Sequence, residues 1–90
     1  MLVSAILYHP AFVRDVKKLD KKIVERAGKM EKVFRANPLH PSLRLHQLKG
    51  SLQGLWSMSI TEKIRIIFSR MDNGDIVFLS IGHHDIYRSW

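Results

Sequence analysis

The chain has 90 residues and no cysteine, which allows one small hydrophobic core and excludes disulfides and thiolate metal centres. Hydrophobic residues make up 46% and charged residues 26%, an ordinary balance for a folded domain and far from that of a disordered chain. Fifteen Lys and Arg against eight Asp and Glu give a net charge of +7, a surplus that attracts polyanions and points to nucleic acid or an acidic protein.

Residues 2–8, "LVSAILY", read as a strand that Pro10 ends. The segment lacks a basic leader region and is too short to span a bilayer, so the expectation is a cytoplasmic protein with no membrane partner. Phe12, Val16, Leu19, Ile23, Ala27, Met30 and Phe34 then recur at steps of four and three, forming one helical face. A single helix over 11–36 would run roughly 39 Å, long for a domain of this size. The pattern therefore predicts two antiparallel helices with a break near "LDKK", where Asp20 caps the second.

"ANPLHPS" ends the helical region, because each proline forces its predecessor out of the helical conformation. After it, "LRLHQLKGSLQGLW" reads as a polar, glycine-punctuated loop leading into a strand. Three strands are predicted at 54–60, 64–71 and 75–81, joined by "TEK" and by "DNG", the latter a strong hairpin signal. Trp56, Met58, Ile60, Ile64, Ile66 and Phe68 alternate with Ser57, Ser59, Arg65 and Ile67, so one face packs on the helices and the other looks outward. The expected fold is one α+β domain over residues 1–90, a helical hairpin on a mainly antiparallel four-stranded sheet.

Polar residues expected near the outward face include Arg44, His46, Lys49, Ser57, Ser59, Arg65, Ser69, Ser80, His83, His84, Asp85 and Tyr87. Arg65 stands mid-strand among isoleucines. A guanidinium fixed there either clamps a phosphate and offsets charge in a transition state, or is a surface cation paired with Glu62. His83 and His84 close the last strand, and either imidazole suits proton transfer to a leaving oxygen, or serves only in structure. Tyr87 suits stacking on a base or packing as a plug. The five histidines show no tight ligand spacing, so no metal or other cofactor is expected. Lys17, Lys18 and Lys21 either track phosphates or form a solvated helix face.

Taken in order, "F-x-x-D-x-x-K-L" at 12–19, "NP" at 37–38, "H-x-L-x-G-x-L-x-G-x-W-S" at 46–57, "R-I-I-F" at 65–68 and "G-x-H-D-x-Y" from Gly82 onward resemble the RelE/ParE superfamily of bacterial toxins. The resemblance is nearest to the RelE-, YoeB- and YafQ-like mRNA interferases of type II toxin–antitoxin systems. It implies a microbial RNase-like fold, binding in the ribosomal A site to rRNA and mRNA, metal-free cleavage of that mRNA, and inhibition by a cognate antitoxin. It also implies a free toxin that is a monomer or weak dimer. Residue by residue, Arg65 becomes the cation on the scissile phosphate, and His84 the general acid, with His83 competing for that role. Tyr87 orients the substrate. His46, standing where YoeB-like members carry a glutamate, becomes the candidate base, and Arg44, Lys49 and Ser57 become phosphate contacts. The superfamily offers two other readings: a ParE-like toxin acting on DNA gyrase, and an inactive antitoxin-binding homologue.

Overall fold

A computed structural model describes residues 2–83. The order of elements is β1 (Ile6–Tyr8), α1 (Pro10–Lys17), α2 (Lys21–Ala36), β2 (His46–Gln47), β3 (Leu55–Ser59), β4 (Ile64–Arg70) and β5 (Ile76–His83), with short 3₁₀ turns at Pro41–Leu43 and Gly50–Leu52. The helical region divides as the periodicity predicted. The imidazole of His9 accepts from the Ala11 amide to start α1, with Pro10 in its first turn, where a missing N–H costs nothing. Asp20 caps α2 by accepting from the Lys22 amide.

The strands form one five-stranded sheet in the order β1-β5-β4-β3-β2. The meander β3-β4-β5 is antiparallel, β2 joins β3 antiparallel, and β1 lies parallel to β5. The expected four-stranded sheet is thus corrected to a mixed five-stranded one. The added strand, β2, is two residues long, too short to show a period. The parallel edge needs the helical pair as its crossover, which a strand-by-strand reading does not reveal.

Phe12, Met30 and Phe34 of the helices pack on Met58, Ile64, Ile66, Phe68, Ile76, Phe78 and Ile81 of the sheet. Phe34 meets Phe68 edge-on at 5.2 Å between ring centroids and Phe78 at 6.2 Å. Leu43, fully buried, ties the loop after α2 into this core. At the β4–β5 hairpin Gly74 has φ +92°, and a Cβ there would come within 2.8 Å of the Ser4 hydroxyl. The "DNG" turn thus needs its glycine both for backbone conformation and for the close passage of the N-terminal segment.

The second face of the sheet departs from expectation. Ser57, Ile67 and Ser80, aligned across β3, β4 and β5, are buried rather than solvent-facing. Ser57 and Ser80 have polar partners. A serine reads as an outward residue, yet it is small enough to be covered and needs only one satisfied hydroxyl to be buried at little cost.

Candidate functional site

The site is built on the sheet face opposite the helices, where cross-strand pairing sets the neighbours. His46 pairs with Ser57, Ser57 with Ile67, and Ile67 with Ser80, giving one row across β2 to β5. Two residues nearer the β3–β4 turn, Ser59, Arg65 and Gly82 form the next row on the same face. His46 and Arg65 therefore share a face, two strands and two residues apart, which is about 12 Å between Cα atoms at standard sheet spacing.

Each is held by main-chain carbonyls. The turn before β2 places Leu43 in the core, and Arg44 then adopts a left-handed conformation (φ 47°, ψ 45°). The Nδ1 atom of the exposed His46 lies 3.2 Å from the Arg44 carbonyl oxygen. A carbonyl only accepts, so this contact puts a proton on Nδ1, and in the neutral ring the lone pair is then on Nε2. Arg65 is half-buried, and its Nη1 donates to the Thr61 carbonyl at 2.7 Å and to the Ile64 carbonyl at 3.3 Å. No Arg65–Glu62 ion pair forms. Among the described residues the ion pair is Arg35–Glu31 at 3.2 Å, on α2. Arg65 is thus oriented by neutral oxygens, and no acid among the described residues pairs with it.

The other candidates fall in different places. His83 pairs with Ile64, so it lies on the helix-side face of the sheet, away from the Arg65 row, and is exposed. In that row its predecessor, Gly82, has no side chain to crowd the guanidinium. Ser57 is fully buried and offers no surface to a ligand. Lys49 caps the 3₁₀ turn Gly50–Leu52 and lines an open groove with Gln47, Gln53 and Gly54. Lys17, Lys18 and Lys21 are exposed at the α1–α2 junction, in the helical layer on the far side of the sheet from Arg65. His84 and Tyr87 lie outside the described residues. Among the described residues no three His, Asp or Glu side chains gather as metal ligands, and no helix is long and apolar enough to cross a membrane.

Sequence reasoning passed over two groups that tie the helical layer to the sheet. Asp15, on α1, accepts at 3.3 Å from the Ile81 amide of β5, tying the helix to the strand that leads to the terminal histidines. Its signal was the aspartate of the "F-x-x-D" motif. Arg26, on α2, donates from Nε to the Ile60 carbonyl at 3.2 Å. Nothing in the helix pattern marks it apart from its neighbouring charges.

Residues 12–85 match the model of a family described as YoeB-like toxin of bacterial type II toxin-antitoxin system. Toxin YoeB of Escherichia coli K12 is 31% identical over 58 residues, which cover 64% of this chain and 69% of that protein. Among solved structures, YafQ from E. coli superposes with a TM-score of 0.76 at 21% identity, covering 91% of this chain and 94% of that one. The toxin of a heterotetrameric YoeB-YefM complex from Staphylococcus aureus gives 0.71 at 26% identity, over 93% and 99%. The family match spans both helices and the whole meander, and the chain belongs to the YoeB-like toxins of bacterial type II toxin–antitoxin systems.

Proposed function

We propose that this toxin is a ribosome-dependent mRNA endoribonuclease that cuts by attack of a ribose 2′-oxygen on the adjacent phosphate. The observation that carries the reading is the placement, on one sheet face, of His46, whose Nδ1 is engaged by a carbonyl, and Arg65, which has no acidic partner among the described residues. RNA supplies its own nucleophile. The protein has only to remove the 2′ proton, stabilise the phosphorane and protonate the leaving 5′-oxygen. In this reading His46 is the base and Arg65 meets the growing negative charge. His83 stands on the other face, which favours His84 as the general acid in this reading, with Tyr87 orienting the substrate. Lys49 and Arg44, both exposed on the β2 side, contact flanking phosphates, and the +7 charge holds the protein to rRNA.

The S. aureus relative is held by its antitoxin YefM, and a cognate antitoxin is the expected inhibitor here. The test is primer extension on a translated mRNA incubated with ribosomes and wild-type protein or Arg65→Ala. Cuts within the reading frame that the variant lacks are expected. Intact mRNA in both, with growth arrest persisting in cells, refutes the reading, and inhibition of DNA supercoiling would then identify gyrase as the target.

A further inference from the structure

The antiparallel pairing of β2 with β3 stops abruptly. Extending the register from His46 and Ser57, Arg44 would face Ser59, but Arg44 is in the left-handed region (φ 47°) and leaves the ladder. An open cleft of about 330 Å³ results, lined by Arg26, Arg44, Ser42, Ser59, Thr61 and Glu62 among others. The Ile60 amide donates inward to Ile64, so strand alternation turns the amide of Ser59 outward, toward this open edge. Ser59 itself is only 6% exposed, and its hydroxyl is buried without a hydrogen-bond partner.

Two guanidiniums flank these groups. Arg26 is pinned by its Nε to the Ile60 carbonyl and lines the cleft, its two terminal nitrogens not used in that bond. Arg44 is exposed on the opposite wall. Glu62 shares the cleft but forms no ion pair with either. Two guanidiniums without an ion-pair partner among the described residues, an outward main-chain N–H and a hydroxyl without a hydrogen-bond partner give a donor-rich recess, whose two cations outweigh the one carboxylate of Glu62 and suit a phosphate diester.

We propose that this gap at the edge of β3 is a second phosphate site, holding a backbone phosphate of bound RNA next to the one met by Arg65. Thr61 connects the two sites: it lines the cleft, and its carbonyl accepts from Arg65. The identity of the ligand as RNA rests on the endoribonuclease reading above. The site fixes the register of the strand, so that the phosphate presented to Arg65 is the one beside an accessible 2′-oxygen.

The test is binding of a fluorescent all-2′-deoxy oligonucleotide, which cannot be cleaved, followed by anisotropy over a range of salt concentrations. Wild type is compared with Arg26→Gln, Arg44→Asn, their double variant, and Lys29→Gln on the exposed face of α2. Asparagine suits the left-handed backbone of position 44, and glutamine can keep the bond to Ile60, so one variant folds even if the other does not. For a site that takes one phosphate, the double variant should lower the salt slope by about 0.7, the increment for one single-strand phosphate. Lys29→Gln should leave the slope as in wild type. A slope unchanged in both arginine variants overturns the proposal, as does a wild type without salt-dependent binding. If the same variants then weaken capture by the cognate antitoxin, the cleft serves an acidic peptide. Because the probe is uncleavable, a protein that binds it through the cleft but leaves ribosomal mRNA intact refutes the nuclease reading alone.

Discussion

His46 offers the sharpest separation of catalysis from stability. Its one described contact is the 3.2 Å bond from Nδ1 to the Arg44 carbonyl, at an exposed position where a neutral hydrogen bond contributes about 0.5–1.5 kcal/mol. In His46→Asn the side-chain amide can still donate to that carbonyl, while nothing remains at the place of Nε2. Unfolding stability should therefore stay within about 1 kcal/mol of wild type. Loss of the general base should slow single-turnover cleavage on programmed ribosomes by about 10²–10⁴, a barrier increase of roughly 3–5 kcal/mol. His46→Glu, which restores a base at the same site, should recover part of the rate. Urea unfolding followed by tryptophan fluorescence supplies the stability, and quenched-flow mRNA cleavage supplies the rate. A His46→Asn protein that cleaves within a factor of about three of wild type would remove His46 from the chemistry.

Asp15→Ala leaves the partly buried Ile81 amide without its acceptor and should cost about 1–3 kcal/mol in urea unfolding, whereas Asp15→Asn, which keeps an oxygen there, should lose less. The phenol of Tyr8 donates to Glu31 at 2.6 Å, and partial burial, then Glu31, raises its pKa above 10.0. The contribution to stability is therefore complete below pH 10 and is lost as pH rises through the raised value, so Tyr8→Phe should flatten that part of a thermal-denaturation pH profile above pH 10. His83→Ala should cleave mRNA at close to the wild-type rate, because His83 pairs with Ile64 on the face away from Arg65; a loss matching that of His46→Asn would contradict the placement.

The two helices, their break at Asp20 and both hairpins were legible because each depends on a few adjacent residues: a cap, a periodic stripe, a glycine at a turn. What was missed depends on distant parts of the chain. Arg26 differs from the neighbouring cations only through its bond to Ile60, 34 residues away. The burial of Ser57, Ser59 and Ser80 likewise reflects what closes over a serine row, and a serine carries no sign of that. The family resemblance singled out His46 and Arg65 as candidates but could not show that carbonyl oxygens, rather than an acid, hold both side chains.

The choice between the two terminal histidines turns on one irregularity. From Arg70 to Phe68, β4 pairs with Ile76 to Phe78 in simple antiparallel register, but Ile67 then pairs with Ser80, so Leu79 is an extra residue in β5. Without that bulge Arg65 would face Ile81, and alternation would bring His83 onto the Arg65 face. With it Arg65 faces Gly82, and His83 is turned to the helix side. A one-residue slip exchanges the two faces of a strand, which is why counting along the sequence could not separate the neighbouring imidazoles. The bulge also explains how a glycine comes to lie beside Arg65: in the proposed role the guanidinium needs room above the sheet for a phosphate, and a larger residue in register with it would take that room.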